Sequence, residues 1–461
     1  SGKTSIALHR IAFLLYRFKD ALKSTDILII SPNRVFSDYI SNVLPELGEE
    51  KVNQIEIETL ADNLLDHQYK FQTFAEQIAV LLEKHDADLQ RRIQIKSDAK
   101  FLQILGKYVS HIEKNTFIGQ DIWLSGRLVP AFLIEELFKK HRGFALTERI
   151  KRTLKSIEQR VGLEYNYSLK PEERTELKKS LRAMYRRPTL RQAYKELFSW
   201  MGEPELFKTA KQGKLEYADV FPLIYLKIRL EGKSALPWPT KHLLIDEMQD
   251  YTPVQYTVIA QLFNCKKTIL GDANQSVNPY SGSNAENIGQ AFLQPSLVKL
   301  TKSYRSTIEI TQFAQRILPN PDIEPINRQG ESPQILSCKN KAEQLTKMAE
   351  RIEDFEKSNH NALGIICKTQ KQADKLNADL AQFGFQTNLL TMFSHAFSQG
   401  IVICSAHMAK GLEFDQVIVA DVSEKNYQTQ LDQHLLYVAC TRAMHSLCLL
   451  HTGELTNLIK S

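Results

Sequence analysis

The sequence predicts an α/β protein built from two parallel-sheet domains, the first of them interrupted by a long helical insertion. Three observations carry that expectation. Short β-type apolar runs alternate with amphipathic helices at the beginning of the chain and again over its last third. Strand signals are scarce between about residues 60 and 216, where helical spacing dominates. The rhythm then resumes beside acidic and basic motifs.

Taken in order, residues 4–18 show helical apolar spacing through Ile6, Ile11, Leu14 and Leu15, and Ile27-Leu28-Ile29-Ile30 is a buried-strand run closed by Ser31-Pro32. The helical stretch that follows is rich in basic residues: Lys139, Lys140, Arg142, Arg149, Lys151 and Arg152, then Lys178, Lys179, Arg182, Arg186, Arg187 and Arg191. Leu243-Leu244-Ile245 and Thr268-Ile269-Leu270 are β-type runs that meet acidic loops. Strands are expected at 334–336, 363–367, 401–403, 416–419 and 446–450, with helices over 341–357 and 370–382. This gives a first domain of residues 1–60 plus 216–297, an insertion of 61–215 and a second domain of 298–461.

With 461 residues the chain can hold two to four cores. A 43% hydrophobic and 24% charged composition places it among folded globular proteins and not among disordered ones. The net charge of +6 permits a polyanionic partner without requiring one. Six scattered cysteines without a Cys-x-x-Cys pair read as reduced thiols of a cytoplasmic protein. No apolar run approaches the ~20 residues of a membrane-spanning helix. Cys440, His445, Cys448 and His451 have a zinc-like spacing, but they fall on a helix and a strand that do not bring four ligands together. The opening Ser1-Gly2-Lys3-Thr4 has no initiator methionine and reads as the tail of a motif, so the chain is expected to be a segment of a longer protein.

Gly2-Lys3-Thr4 opening a helix matches the end of the phosphate loop G-x-x-x-x-G-K-[ST], in which free N–H groups and the lysine hold phosphates and the hydroxyl holds Mg²⁺. The tripeptide alone is common and equally suits a polar helix start. Asp246-Glu247 follows an apolar strand, with Asp250 a turn later. Such adjacent carboxylates suit magnesium anchoring and water activation, or simply a charged turn capping a helix. Gly271-Asp272-Ala273-Asn274-Gln275 follows the next strand, where a glutamine amide can report a terminal phosphate. Arg305 and Arg442 sit at element ends, suited to transition-state charge or to surface ion pairs.

In order, Ser1-Gly2-Lys3-Thr4, Leu244 to Asp250, Gly271 to Gln275, Ser303-Tyr304-Arg305-Ser306, His407-Met408-Ala409-Lys410-Gly411-Leu412-Glu413-Phe414-Asp415 and Leu436 to Ala443 form a series. That series resembles the UvrD/Rep superfamily-1 helicases. Ser31-Pro32-Asn33-Arg34-Val35-Phe36, Val43 to Gly48 and Tyr225 to Gly232 look most like the HelD (helicase IV-like) branch. The resemblance implies two RecA-like P-loop NTPase domains, ATP and Mg²⁺ as cofactors, and DNA as partner. It implies that Gly2, Lys3 and Thr4 serve the phosphates and metal, Asp246 the metal and Glu247 the attacking water. Gln275, Arg305 and Arg442 would reach the γ-phosphate, Tyr304 the adenine, and Gly411 and Glu413 the nucleotide. Asn33, Tyr280, His407 and Lys410 would face nucleic acid.

Two departures are visible. Where family helicases carry an aromatic-Arg-Trp-Arg cluster for stacking on a single strand, this chain reads Asn278-Pro279-Tyr280-Ser281. Between Arg305 and His407 there is room for an α/β core and not for the family's large second insertion. Both favour a HelD-type factor that remodels or releases bacterial RNA polymerase. A 3′-to-5′ DNA helicase of repair or recombination, and a nucleotide-independent binding module, are the competing readings.

Overall fold

The computed structural model describes residues 3–31, 50–84, 86–185, 188–233, 236–272, 276, 292, 296–391, 394 and 399–459, with backbone alone at Lys3, Thr4, Ser5, Ala7 and Lys84. Helix α1 (Lys3–Arg17) leads to β1 (Ile27–Ser31), β2 (Asn53–Glu56) and α2 (Ile57–Leu64). With β5 (His242–Ile245) and β6 (Lys266–Ile269), these strands form an all-parallel sheet of order β2-β1-β5-β6. The two central strands, β1 and β5, are buried along their whole length and mostly apolar because both faces of the sheet are covered there, whereas the edge strands β2 and β6 are largely polar. Ile27, Ile29 and Leu244 join Leu8, Ile11 and Leu15 of α1 in one core. Leu28, Ile30, Leu243 and Ile245 face the opposite way, into the core of the helical insertion.

That insertion comprises α3 (Phe74–Lys84), α4 (Ala87–Ser97), α5 (Ala99–Asn115), α6 (Ala131–Lys140), α7 (Leu146–Tyr165), α8 (Pro171–Ala183) and α9 (Leu190–Trp200). An antiparallel hairpin, β3 (Ile122–Leu124) with β4 (Arg127–Val129), interrupts them, and α10 (Tyr217–Glu231) leads back to the sheet. The insertion is not packed as a separate body. Its helices share one continuous core with the sheet and with α11 (Pro253–Leu262). Ile78, Leu81, Leu82, Leu89 and Ile93 of α3 and α4 instead bury in the core of the second domain. The other face of α4 is tied to α10, where Arg92 chelates Glu216 at 2.6–3.1 Å and Lys96 pairs with Asp219.

The second domain holds β7 (Lys302–Ser303), α12 (Ile308–Ile317), β8 (Glu324–Pro325), β9 (Gln334–Cys338), α13 (Lys341–Glu356), β10 (Ala362–Cys367) and α14 (Gln370–Gln382). β11 (Asn388–Leu389), β12 (Gly400–Ser405), β13 (Phe414–Val419), α15 (Gln430–Cys440) and β14 (Ala443–Thr452) complete it. Its sheet, β11-β12-β10-β13-β14-β9, is again wholly parallel. α13 and α14 cover one face, α12 and α15 the other. Gly364 has no room for a side chain, since a Cβ there would lie 2.6 Å from the Phe414 ring. The architecture is α/β with two RecA-like domains, as the sequence predicts. Among the described residues, no helix is long and apolar enough to cross a membrane.

Candidate active site in the cleft between the two sheets

β5 ends in a tight loop that presents carboxylates at the sheet's C-terminal edge. Asp246 is 3% exposed, its backbone N–H donates to Ile30 O at 3.2 Å, and its Oδ1 accepts the Glu247 N–H at 2.8 Å. Glu247 adopts φ +53°, a left-handed conformation that costs a non-glycine residue about 1–3 kcal/mol and is retained where the surroundings enforce it. The enforcement is visible. Met248 N–H donates to Leu270 O at 2.8 Å, and Tyr256 OH donates to Met248 O at 2.6 Å. The wholly buried Gln249 amide donates to Glu247 Oε2 and accepts the Asp272 N–H at 2.9 Å. Gly271 is required for this docking, because a Cβ there would sit 2.2 Å from the Met248 side chain and 2.4 Å from Gln249 Oε1.

The second domain closes over this edge with the loop between β12 and β13. Lys410 is 4% exposed, and its ammonium pairs with Asp250 and, at 3.3 Å, with Glu247. Burial opposes its charge, but the two carboxylates win and raise its pKa. Gly411, at φ +84°, turns the chain so that Glu413 faces Arg305, whose Nε donates at 2.7 Å to Glu413 Oε1. Burial pushes the Glu413 carboxyl up, and the Arg305 charge and hydrogen bond outweigh it and hold it below the usual range. Arg442, only 1% exposed, is folded inward and donates to Val438 O at 3.1 Å, Leu412 O at 3.4 Å and Thr441 Oγ1 at 3.3 Å. Burial and the like charge of Arg305 lower its pKa to about 9 against the pull of Glu247, Glu413 and Asp272. Those opposing charges put Arg305, Arg442, Glu247, Glu413 and Asp272 within electrostatic reach in one cleft. A cavity beside it is lined by Asp272, Arg305, Ser306, Tyr437 and Thr441.

Not every expected site residue is placed in this cleft by the described residues. Lys410, expected at nucleic acid, spends its charge on Glu247 and Asp250 instead. His407 is half-buried; burial lowers its pKa to about 4, and its Nδ1 has no hydrogen-bond partner among the described residues. Tyr304 is 58% exposed beside Arg305. Lys3 and Thr4 begin α1, but their side chains, with Gly2, Asn33, Gln275 and Tyr280, lie outside the described residues. The zinc-like set is scattered: Cys440 is buried in α15, His445 stacks on His360 at 4.9 Å, and His451 Nδ1 lies 2.8 Å from Gly453 O.

Of the insertion's basic residues, Arg149 is not a surface charge. It is 1% exposed, sits 4.0 Å over the Phe138 ring and donates to Phe138 O at 3.0 Å. Lys178, Lys179 and Arg182 lie on the solvent side of α8, opposite the buried Leu177 and Leu181. Sequence spacing gave no role to Gln249 or Asp250 in joining the two domains. The run Asp246 to Asp250 was the available signal, but the partner lies 160 residues away.

Magnesium is held through hard oxygen ligands, often one or two carboxylates with phosphate oxygens and water completing the shell. Asp246, buried at a strand end with Glu247 and Asp272 nearby, supplies that donor chemistry.

The chain has relatives of known family. A model of the UvrD/REP helicase N-terminal domain matches residues 1–294, and one of the UvrD-like helicase C-terminal domain matches 400–450. A putative ATP-dependent DNA helicase of Acanthamoeba polyphaga mimivirus is 27% identical over 44% of this chain and 33% of its own. The ATP-dependent DNA helicase Rep of Buchnera aphidicola is 30% identical over 24% of this chain and 18% of its own. A solved C-terminal domain of a possible DNA helicase from Lactobacillus plantarum is 34% identical, covering 34% of this chain and 92% of that domain with a TM-score of 0.29. The chain thus spans a third or less of the two curated helicases it matches here. A family model matching well over half of the residues, on two parallel-sheet domains that meet over carboxylates and arginines, identifies the chain as a member of the UvrD/REP helicase family.

Proposed function

We propose that this chain is the motor core of an ATP-driven DNA helicase or translocase, with hydrolysis in the cleft between the two sheets. The observation that carries this reading is the Lys410 ammonium of the second domain seated on Glu247 and Asp250 of the first, with Arg305 and Arg442 alongside. The curated relatives that match are described as ATP-dependent DNA helicases, which supports the same reading.

In this mechanism Gly2, Lys3 and Thr4 at the start of α1 hold the phosphates, with Thr4 and Asp246 on the metal side. Bound magnesium supplies Lewis-acid stabilisation of charge on the phosphoryl oxygens. Glu247, aimed by its left-handed backbone and by Gln249, orients the attacking water and takes its proton. Gln275 senses the terminal phosphate. Arg305 and Arg442 leave Glu413 and the local carbonyls to meet the charge that develops on the transferred group, an effect worth about 10³–10⁵ in rate where such arginines act. Tyr304 stacks on the base, with Gly411 and Glu413 beside the nucleotide. Asn33, Tyr280 and His407 face the nucleic acid, and Lys410 links that face to the carboxylates.

The test is ATP turnover with and without single-stranded DNA, paired with strand displacement on a 3′-tailed duplex. Turnover unaffected by DNA would remove DNA as the track.

A second reading, a HelD-type factor that acts on RNA polymerase, is favoured by one observation. The described residues between Arg305 and His407 form only sheet strands and covering helices, and 278–281 offer a single aromatic and no arginine. Stacking on single strands is worth about 1–3 kcal/mol per base, so this track would be held weakly. Co-purification with core RNA polymerase, together with ATP-dependent release of its nucleic acid, tests it.

A further inference from the structure

We propose that Arg328 is a positioning residue for hydrolysis: its guanidinium joins the Arg305 segment to the strand that follows Arg442, so that both arginines are carried as one rigid unit. The inference rests on ATP hydrolysis in the cleft described above.

Arg328 lies on a brace that runs beside the Arg305 segment. β8 pairs in parallel with β7, Lys302 opposite Glu324 and Ser303 opposite Pro325. The Glu324 N–H donates to Thr301 O at 2.9 Å, and the Ile308 N–H donates to Arg328 O at 2.9 Å. The brace ends at Gly330, whose N–H donates to Glu309 Oε2 at 2.9 Å. A Cβ on Gly330 would lie 2.5 Å from Thr307 Cγ2, so the brace sits directly on the first turn of α12. The backbone that carries Arg305 is therefore held along one side from residue 301 to residue 309.

The Arg328 side chain adds a tie from the brace itself. Nη1 donates to the Arg305 carbonyl at 3.2 Å, and Nη2 contacts the His445 ring, 2.9 and 2.8 Å from its two nitrogens. His445 is three residues beyond Arg442 on β14, where it stacks on His360 and lies 3.8 Å from Asp415. The Ser306 hydroxyl adds a second tie, donating to Ala443 O at 2.6 Å. Arg328 thus touches both segments, which the chain separates by more than a hundred residues. A planar fork carries its donors on separate nitrogens in a fixed geometry, whereas a lysine carries all three on one nitrogen and lacks that fixed spread. Small displacements of groups that act on a transition state cost far more in rate than in substrate affinity.

The test compares Arg328→Gln, Arg328→Lys, His445→Gln and the Arg328→Gln/His445→Gln double variant in the full-length protein, with kcat, KM for ATP and thermal midpoint measured for each. Arg328→Gln and Arg328→Lys are expected to lower kcat about tenfold with KM within twofold, and the double variant to lie no lower than Arg328→Gln, as for two residues in one linkage. Thermal midpoints are expected to stay within a few degrees of wild type. Full kcat in Arg328→Gln, restoration of kcat by lysine, or multiplicative losses in the double variant would each overturn the positioning role. So would a kcat loss that tracks the thermal midpoint. A wild-type protein that does not hydrolyse ATP would fail the motor reading first; an active wild type beside a fully active Arg328→Gln fails this inference alone.

Discussion

Replacing Lys410 by Met removes a buried cation that bridges the carboxylate edge of the first sheet to the second domain. At 3.3 Å from Glu247 Oε2, unit charges attract by about 5 kcal/mol at an effective dielectric constant of ~20. Desolvating the ammonium, which is only 4% exposed, returns several kcal/mol of that. Cutting one partner from a buried pair costs about 3–5 kcal/mol. Glu247 and Asp250 keep 14% and 16% of their side-chain surface in water, so the low end applies and the loss should be about 3 kcal/mol. The coupling is isolated by a double-mutant cycle of Lys410→Met with Asp250→Asn, read by urea unfolding of the four proteins. A coupling of about 2 kcal/mol is expected, since Glu247 remains as a second partner in the Asn variant. A value below about 0.5 kcal/mol would show that the pair contributes no more than a surface contact, and the argument from burial would be wrong.

Other outcomes follow from the same geometry. Glu247→Gln should leave ATP affinity largely intact and lower turnover by about 10²–10⁴, the usual contribution of a positioned base; equal losses in both would remove it from that role. Glu58 has its pKa raised to about 7, chiefly by burial and further by Glu56 and Glu76, against the hydrogen bond from the Phe74 N–H. The folded state therefore holds an extra proton between about pH 4.5 and 7, and stability should fall as pH rises through that window, by about 3 kcal/mol in all. Glu58→Gln should flatten this part of the curve, measured as unfolding free energy at pH 5 and pH 8; an unchanged slope refutes the assignment. Reversing Lys178, Lys179 and Arg182 to Glu should reduce the slope of log K against log salt for DNA binding by up to about 3, at about 0.9 per phosphate contact. A slope that stays put removes α8 from the DNA contact.

Much of the fold is legible in the sequence, for a physical reason. Strands buried on both faces are written as continuous apolar runs, so the runs at 27–30, 243–245, 363–367 and 401–403 sit inside β1, β5, β10 and β12. The helices over 341–357 and 370–382 end within a residue of α13 and α14. Contacts between distant segments leave no periodic trace. Nothing in the spacing of Lys410 reveals Asp250 as its partner, and nothing in that of Arg149 reveals the Phe138 ring beneath it. The short hairpin of β3 and β4 is likewise hidden, because three-residue strands are too brief to show alternation.

α4 has a consequence for how far the two domains can part. Leu89 and Ile93 are buried with the second domain's apolar side chains, while Arg92 and Lys96, on the same helix, are neutralised by Glu216, which caps the start of α10, and by Asp219 within it. A wide opening must either strip oily residues into water or pull ions out of their cage. The helix therefore acts as a tether of fixed length, permitting small rotations about itself and penalising wholesale separation, and each catalytic stroke of this protein is expected to be a short one.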